Sequence, residues 1–191
     1  MDLEHPSPIC VIGLGNLLER DDGVGPRVVQ ELERRFTFPR EVELVDIGTA
    51  GLHLLTWIIG RDVVIFVDAV TAGGTPGALY RFERARLLEG RAAGPRISQH
   101  QPEIREILAL AEVAGGAPRE VVLLGVEPED LRDGIGLTRT LEAALEPLAQ
   151  LVVHELERLG VRAQPHAGSA ATLPAPREAS ASRGATAIRA T

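Results

Sequence analysis

Four carboxylates and one histidine stand where this chain could do chemistry. Asp21 and Asp22 follow an apolar run and its Gly13-Leu14-Gly15-Asn16 turn, while Asp46 and Asp68 each close a β-branched run. His100 sits in Ile97-Ser98-Gln99-His100-Gln101-Pro102. Carboxylate oxygens with one imidazole make a mixed oxygen and nitrogen ligand set, suited to a borderline divalent ion such as Ni²⁺ or Zn²⁺. Each residue also has a plainer reading. Asp21 or Asp22 would cap the following helix and favour its positive end. Asp68 would serve a turn, and a lone loop histidine such as His100 is often a surface residue. Asp46 reads as structural beside Gly48-Thr49-Ala50-Gly51, and His53 as packing on the core. His154 falls near the solvent face of the last helix, and His5 and His166 lie in terminal segments.

Other chemistries fit poorly. Gly13-Leu14-Gly15 begins like a dinucleotide fingerprint, but Leu18 occupies the third glycine position. No G-x-S-x-G or H-E-x-x-H motif occurs, and a Ser98–His100 pair separated by one residue does not by itself make a triad. All 20 basic residues are arginine, which removes phosphate-loop and Schiff-base chemistry, both of which need a lysine amine. Cys10 is the one cysteine, so neither an internal disulfide nor a thiolate cluster can form; its apolar run marks it as a small buried hydrophobe. A net charge of -7 argues against a nucleic-acid partner. With no basic-then-apolar leader and no apolar stretch near the roughly 18–20 residues of a membrane helix, the chain reads as soluble and cytoplasmic.

Alternating elements must position these groups. Strand-like runs fall at 9–13, 42–46, 63–68, 78–82 and 121–126, several continuously apolar, as strands buried on both faces are. Between them lie helical patterns. Val24, Val28 and Leu32 recur every four residues, with Pro26 in the first turn, where a missing N–H costs little. Further helices fall at 52–59, after Pro102, and from the N-cap Thr138 onward, the last with a kink expected at Pro147. The expected fold is α/β: a three-layer αβα sandwich around a mostly parallel five-stranded twisted sheet, with antiparallel pairing open to the weak fourth strand. Ligands in such sheets bind outside the carboxyl ends of the strands, where Asp21, Asp22 and Asp68 fall, with Asp46 as a competitor. Residues 1–162 form the expected domain; 163–191, rich in Ala, Ser, Thr, Pro and Arg without apolar periodicity, read as a disordered tail.

The run from Gly13 through Asp21-Asp22-Gly23-Val24-Gly25 resembles the N-terminal signature of nickel-iron hydrogenase maturation proteases. Asp46-Ile47-Gly48-Thr49-Ala50-Gly51, Val67-Asp68-Ala69, Ser98 with His100-Gln101, Gly125-Val126-Glu127-Pro128 and Gly136-Leu137-Thr138 are similar to later segments of that family, in order. Ile47 departs from it, standing where the family usually has glycine. The resemblance covers roughly residues 9–161. It implies that Asp22, Asp68 and His100 meet at a nickel ion carried by the substrate, with Asp22 and Asp68 as candidate catalytic carboxylates of an aspartyl-type endopeptidase. The implied partner is the hydrogenase large-subunit precursor, whose C-terminal extension is removed after nickel insertion, by an enzyme expected to be monomeric. Two alternatives accompany it: a same-fold endopeptidase acting on another precursor, and a non-catalytic nickel-sensing chaperone module.

Overall fold

The computed structural model describes residues 7–49, 51–89, 97–166, 177–179 and 185–189. In chain order the elements are β1 (Ile9–Leu14), α1 (Val24–Arg35), β2 (Phe36–Thr37), β3 (Val42–Gly48), α2 (Leu54–Ile58), β4 (Val63–Ala69), β5 (Leu79–Glu83), α3 (Arg84–Leu88), α4 (Gln101–Val113), β6 (Glu120–Val126), α5 (Arg139–Arg158), β7 (Gln164–Pro165), β8 (Arg177–Ala179) and β9 (Ala185–Arg189). The central sheet runs β3-β1-β4-β6-β5, parallel except for β5, which pairs antiparallel with β6. The expected five-stranded layer is therefore present, and the weak fourth strand is the antiparallel one.

Continuous apolar runs arise because both faces of this sheet are covered. Along a strand successive side chains alternate faces. Val11, Ile65, Val67, Val122 and Leu124 pack with Val24, Val28 and Leu32 of α1 and Leu148, Val152 and Leu156 of α5. Cys10, Ile12, Val64, Phe66, Val121 and Leu123 pack on the other face with Leu54 and Ile58 of α2, Leu87 of α3 and Ile104 and Leu108 of α4. Three layers result. The Thr138 hydroxyl caps α5 by accepting the Leu141 N–H at 3.3 Å, and the helix continues through Pro147 without a break in its assignment. The second helix is shorter than its apolar run, because a 3₁₀ turn over Gly51–His53 precedes it.

Chain direction makes a crevice. From β1 the chain crosses through α1 on one face to reach β3; from β4 it crosses by way of α4 on the other face to reach β6. The neighbours β1 and β4 thus form the switch point at which loops diverge and ligands bind.

The segment after residue 162 differs from the tail expected of its composition. Among its described residues, β7 pairs antiparallel with β2, β9 with the outer edge of β5, and β8 with β9, extending the main sheet to seven strands. The physical reason is the open edge of β5: without a neighbour its ladder groups are unpaired, and backbone pairing there needs no apolar periodicity. Residues 167–176, 180–184 and 190–191 lie outside the described residues.

Candidate functional site

Asp22 reaches the switch point through a compressed turn. Gly15 has φ 136°, and a Cβ there would lie 1.8 Å from the Asp22 carbonyl oxygen. At Gly25 a Cβ would meet the carbonyl oxygens of Leu14 and Val67 at 2.2 and 2.4 Å. The start of α1 therefore rests directly on the ends of β1 and β4, which only glycine permits. A 3₁₀ turn over Arg20–Gly23 carries Asp22 inward, and the Asn16 N–H donates to Asp22 Oδ2 at 2.7 Å. Asn16 also donates through Nδ2 to Glu19 Oε1 at 2.7 Å, which tightens the same turn.

Asp68, fully buried near the end of β4, is held on three sides. Its Oδ1 accepts the Ala69 N–H at 2.9 Å, its Oδ2 accepts the Ser98 hydroxyl, and His100 Nδ1 lies 3.2 and 3.1 Å from the two oxygens. Ser98 Oγ in turn accepts the His100 N–H at 2.9 Å. One hydroxyl thereby fixes both partners. Buried Gln101 fastens this loop to the scaffold: Oε1 accepts the Ile97 N–H at 2.9 Å, and Nε2 donates to the Leu87 carbonyl at 3.3 Å.

Asp22, Asp68 and His100 come together: one ligand atom from each lies within 4.8 Å of the others, and all three residues are buried. Asp46 stays apart and exposed, accepting the Gly48 N–H at 3.1 Å, the structural part expected of it. His53 is exposed and meets Trp57 edge-on at 6.2 Å, so it packs on a neighbour instead of entering the core. Burial pushes the Cys10 thiol up to about 12, which leaves no thiolate nucleophile at neutral pH.

Charge in the site is concentrated. Burial raises the Asp22 carboxyl above its ordinary range; the Asn16 N–H opposes this and the nearby Asp68 charge adds to it. Burial pulls the other way on His100, but the Asp68 hydrogen bond and charge, with Asp22 and Glu103, carry its pKa up to about 9. The proton that these neighbours hold on His100 is one that an arriving cation would compete with. Above the cluster opens a cleft of about 390 Å³ lined by Asn16, Glu19, Asp22, Thr49, His100 and Glu103, among others. Glu103 Oε2 is buried there without a hydrogen-bond partner among the described residues.

Two contributors escaped sequence reasoning. Asp21 is not a helix cap. Fully buried, it accepts the backbone N–H groups of Glu129, Asp130 and Thr138 at 2.9, 2.9 and 2.7 Å and the Thr138 hydroxyl at 3.0 Å. It staples the loop after β6 to the turn that carries Asp22. Glu127, also buried, accepts the N–H groups of Ala72, Gly73 and Gly74 at 2.9, 3.3 and 3.2 Å and so gathers the loop after β4. Both lie in runs quoted for the resemblance, which was the available signal; their partners are too distant in sequence for spacing to find.

Comparison with known proteins points one way. The sequence model of a family described as hydrogenase maturation protease matches residues 26–155. The hydrogenase 2 maturation protease of Escherichia coli is 38% identical over 161 residues, covering 82% of this chain and 95% of the relative. The hydrogenase expression/formation protein HoxM of Azotobacter vinelandii is 39% identical over 170 residues, covering 88% and 82%. Among solved structures, the hydrogenase maturating endopeptidase HybD from E. coli superposes with a TM-score of 0.75 at 36% identity, covering 83% of this chain and 97% of that one. With two thirds of its length matched by the family model and relatives of this identity aligned along most of theirs, the chain belongs to the hydrogenase maturation protease family.

Proposed function

We propose that this protein is an endopeptidase that removes the C-terminal extension of a nickel-iron hydrogenase large-subunit precursor after nickel insertion, and that Asp22, Asp68 and His100 meet the nickel carried by that precursor. The observation that carries this reading is the convergence of the three side chains within 4.8 Å of one another at the base of an open cleft. The donor set fits the ion: two carboxylates and one imidazole suit a borderline divalent metal, and three protein ligands leave positions for the partner's own. The orphaned oxygen of Glu103 adds a further negative group to the wall. A substrate-borne ion at this point would polarise the scissile carbonyl or acidify a water.

The chain's own groups divide the remaining work. Asp68 has both oxygens engaged by Ala69, Ser98 and His100, which suits it to orienting the imidazole. Asp22 lines the cleft and burial raises its carboxyl above the ordinary range, which makes it the more basic candidate for general base on an attacking water. His100, held at Nδ1 by Asp68, keeps Nε2 as the nitrogen not committed to that carboxylate.

The experiment is co-expression with a large-subunit precursor followed by intact mass measurement. Loss of one discrete C-terminal peptide, abolished by Asp22→Asn, Asp68→Asn or His100→Ala in folded protein, supports the reading. Stable association without a mass change indicates a chaperone module, and cleavage of a different protein alone indicates another precursor. Full processing by all three variants overturns the assignment of the site.

A further inference from the structure

Three exposed apolar side chains stand on segments that adjoin the cleft, and neither metal contact nor water activation uses them. Leu18 is 64%, Ile135 84% and Leu52 74% exposed. Leu18 directly precedes Glu19 and Leu52 directly follows Gly51, and both Glu19 and Gly51 line the cleft. Leu18 and Ile135 belong to paired backbone: the Gly134 N–H donates to the Leu18 carbonyl at 2.8 Å, and the Arg20 N–H to the Gly134 carbonyl at 2.9 Å. This pair of segments is stiff, because buried Asp21 between them takes four hydrogen bonds from 129–138.

Single exposed hydrophobes are ordinary, but several beside one concave polar site, two of them on a stiffly held pair of segments, mark a contact surface. Prior fixing also lowers the ordering cost of association. Glu19, Asp22 and Glu103 make the cleft acidic, so the complementary partner presents a cation ringed by apolar groups. A second copy of this chain would set one acidic cleft against another, and a nucleic acid would meet a chain of net charge -7. We propose that Leu18, Ile135 and Leu52 form an apolar rim that docks the hydrogenase precursor, whose apolar side chains cover the rim while its metal-bearing segment enters the cleft. This rests on the function proposed above and names the surface by which that substrate is gripped.

The test uses the full chain with Leu18→Ser and Ile135→Ser combined, Leu52→Ser alone, and Val113→Ser as a control at a site 89% exposed on the far end of α4. Cleavage is followed by intact mass across precursor concentrations. Precursor affinity is measured in parallel for each substitution placed in the non-cleaving Asp22→Asn background, and nickel alone is titrated into each free enzyme. The rim variants should raise KM and weaken precursor affinity about tenfold, with kcat and nickel binding unchanged, while Val113→Ser matches the parent. Parental KM and affinity in both rim variants overturn the rim and leave the protease reading standing. A parent that binds precursor through the rim without cutting supports the rim and sinks the protease reading. A parent that neither binds nor cuts overturns both.

Discussion

Replacing Asp21 by asparagine tests whether the buried carboxylate is a staple or a cap. Its Oδ2 accepts from Glu129, Asp130 and the Thr138 hydroxyl, and its Oδ1 accepts the Thr138 N–H. Asparagine keeps one acceptor oxygen. If that oxygen stays with Glu129 and Asp130, the amide NH₂ faces the Thr138 N–H, donor against donor, at a fully buried position. A hydrogen bond to a charged group contributes about 1.5–3 kcal/mol, and an unpaired buried polar group costs about 1–3 kcal/mol. The combined loss is about 3 kcal/mol, which for a domain of this size lowers Tm by roughly 6–12 °C. A cap on α1 would cost only about 1 kcal/mol on removal. Urea and thermal unfolding of Asp21→Asn beside Asp46→Asn, where the side chain is exposed and accepts the Gly48 N–H, measure the difference. A loss below about 1 kcal/mol for Asp21→Asn, or equal losses in the two variants, would refute the staple.

Ser98→Ala should fold yet process precursor at least about tenfold more slowly, because one hydroxyl orients both Asp68 and His100, and displacement of a positioned group costs rate. Ser98→Thr retains the hydroxyl and should recover much of that activity; equal rates for serine and alanine would show that the bridge is idle. Acid stability should depend on Glu155. Burial alone would raise its carboxyl, but hydrogen bonds from Arg81 and Arg158 prevail and lower it below 4.5. A group depressed on folding contributes stability that is complete above its unfolded value and lost as pH falls through the folded one. The urea midpoint of the parent should therefore drop on going from about pH 5 to about pH 3 more than that of Glu155→Gln, and parallel curves would contradict it.

Much of the scaffold could be read from residue types. The four-residue recurrence of Val24, Val28 and Leu32 marked α1, and the continuous apolar runs marked strands covered on both faces. The site was less legible. Asp22, Asp68 and His100 are separated by tens of residues, and loop carboxylates look the same whether they cap, turn or converge; the family resemblance, not spacing, singled them out. Asp21 reads in the sequence as a helix-start residue because its true partners lie 108 to 117 positions away. Ser98 beside His100 suggests a nucleophile by proximity in sequence, whereas its hydroxyl is spent on Asp68. Strand β9 went unread because an edge recruits a strand through backbone groups, which leave little trace in side-chain composition.

The bare contact of Gly25 with the ends of β1 and β4 carries a consequence for how variants of this protein should be interpreted. A methyl group added at that point would wedge the helix off the sheet and carry Asp22 with it, although position 25 holds no reactive atom. Displacement by about one ångström can cost a hundredfold in rate. Inactivating substitutions should therefore gather at residues devoid of functional groups, and a survey of loss-of-function alleles would mistake spacing hardware for catalytic chemistry.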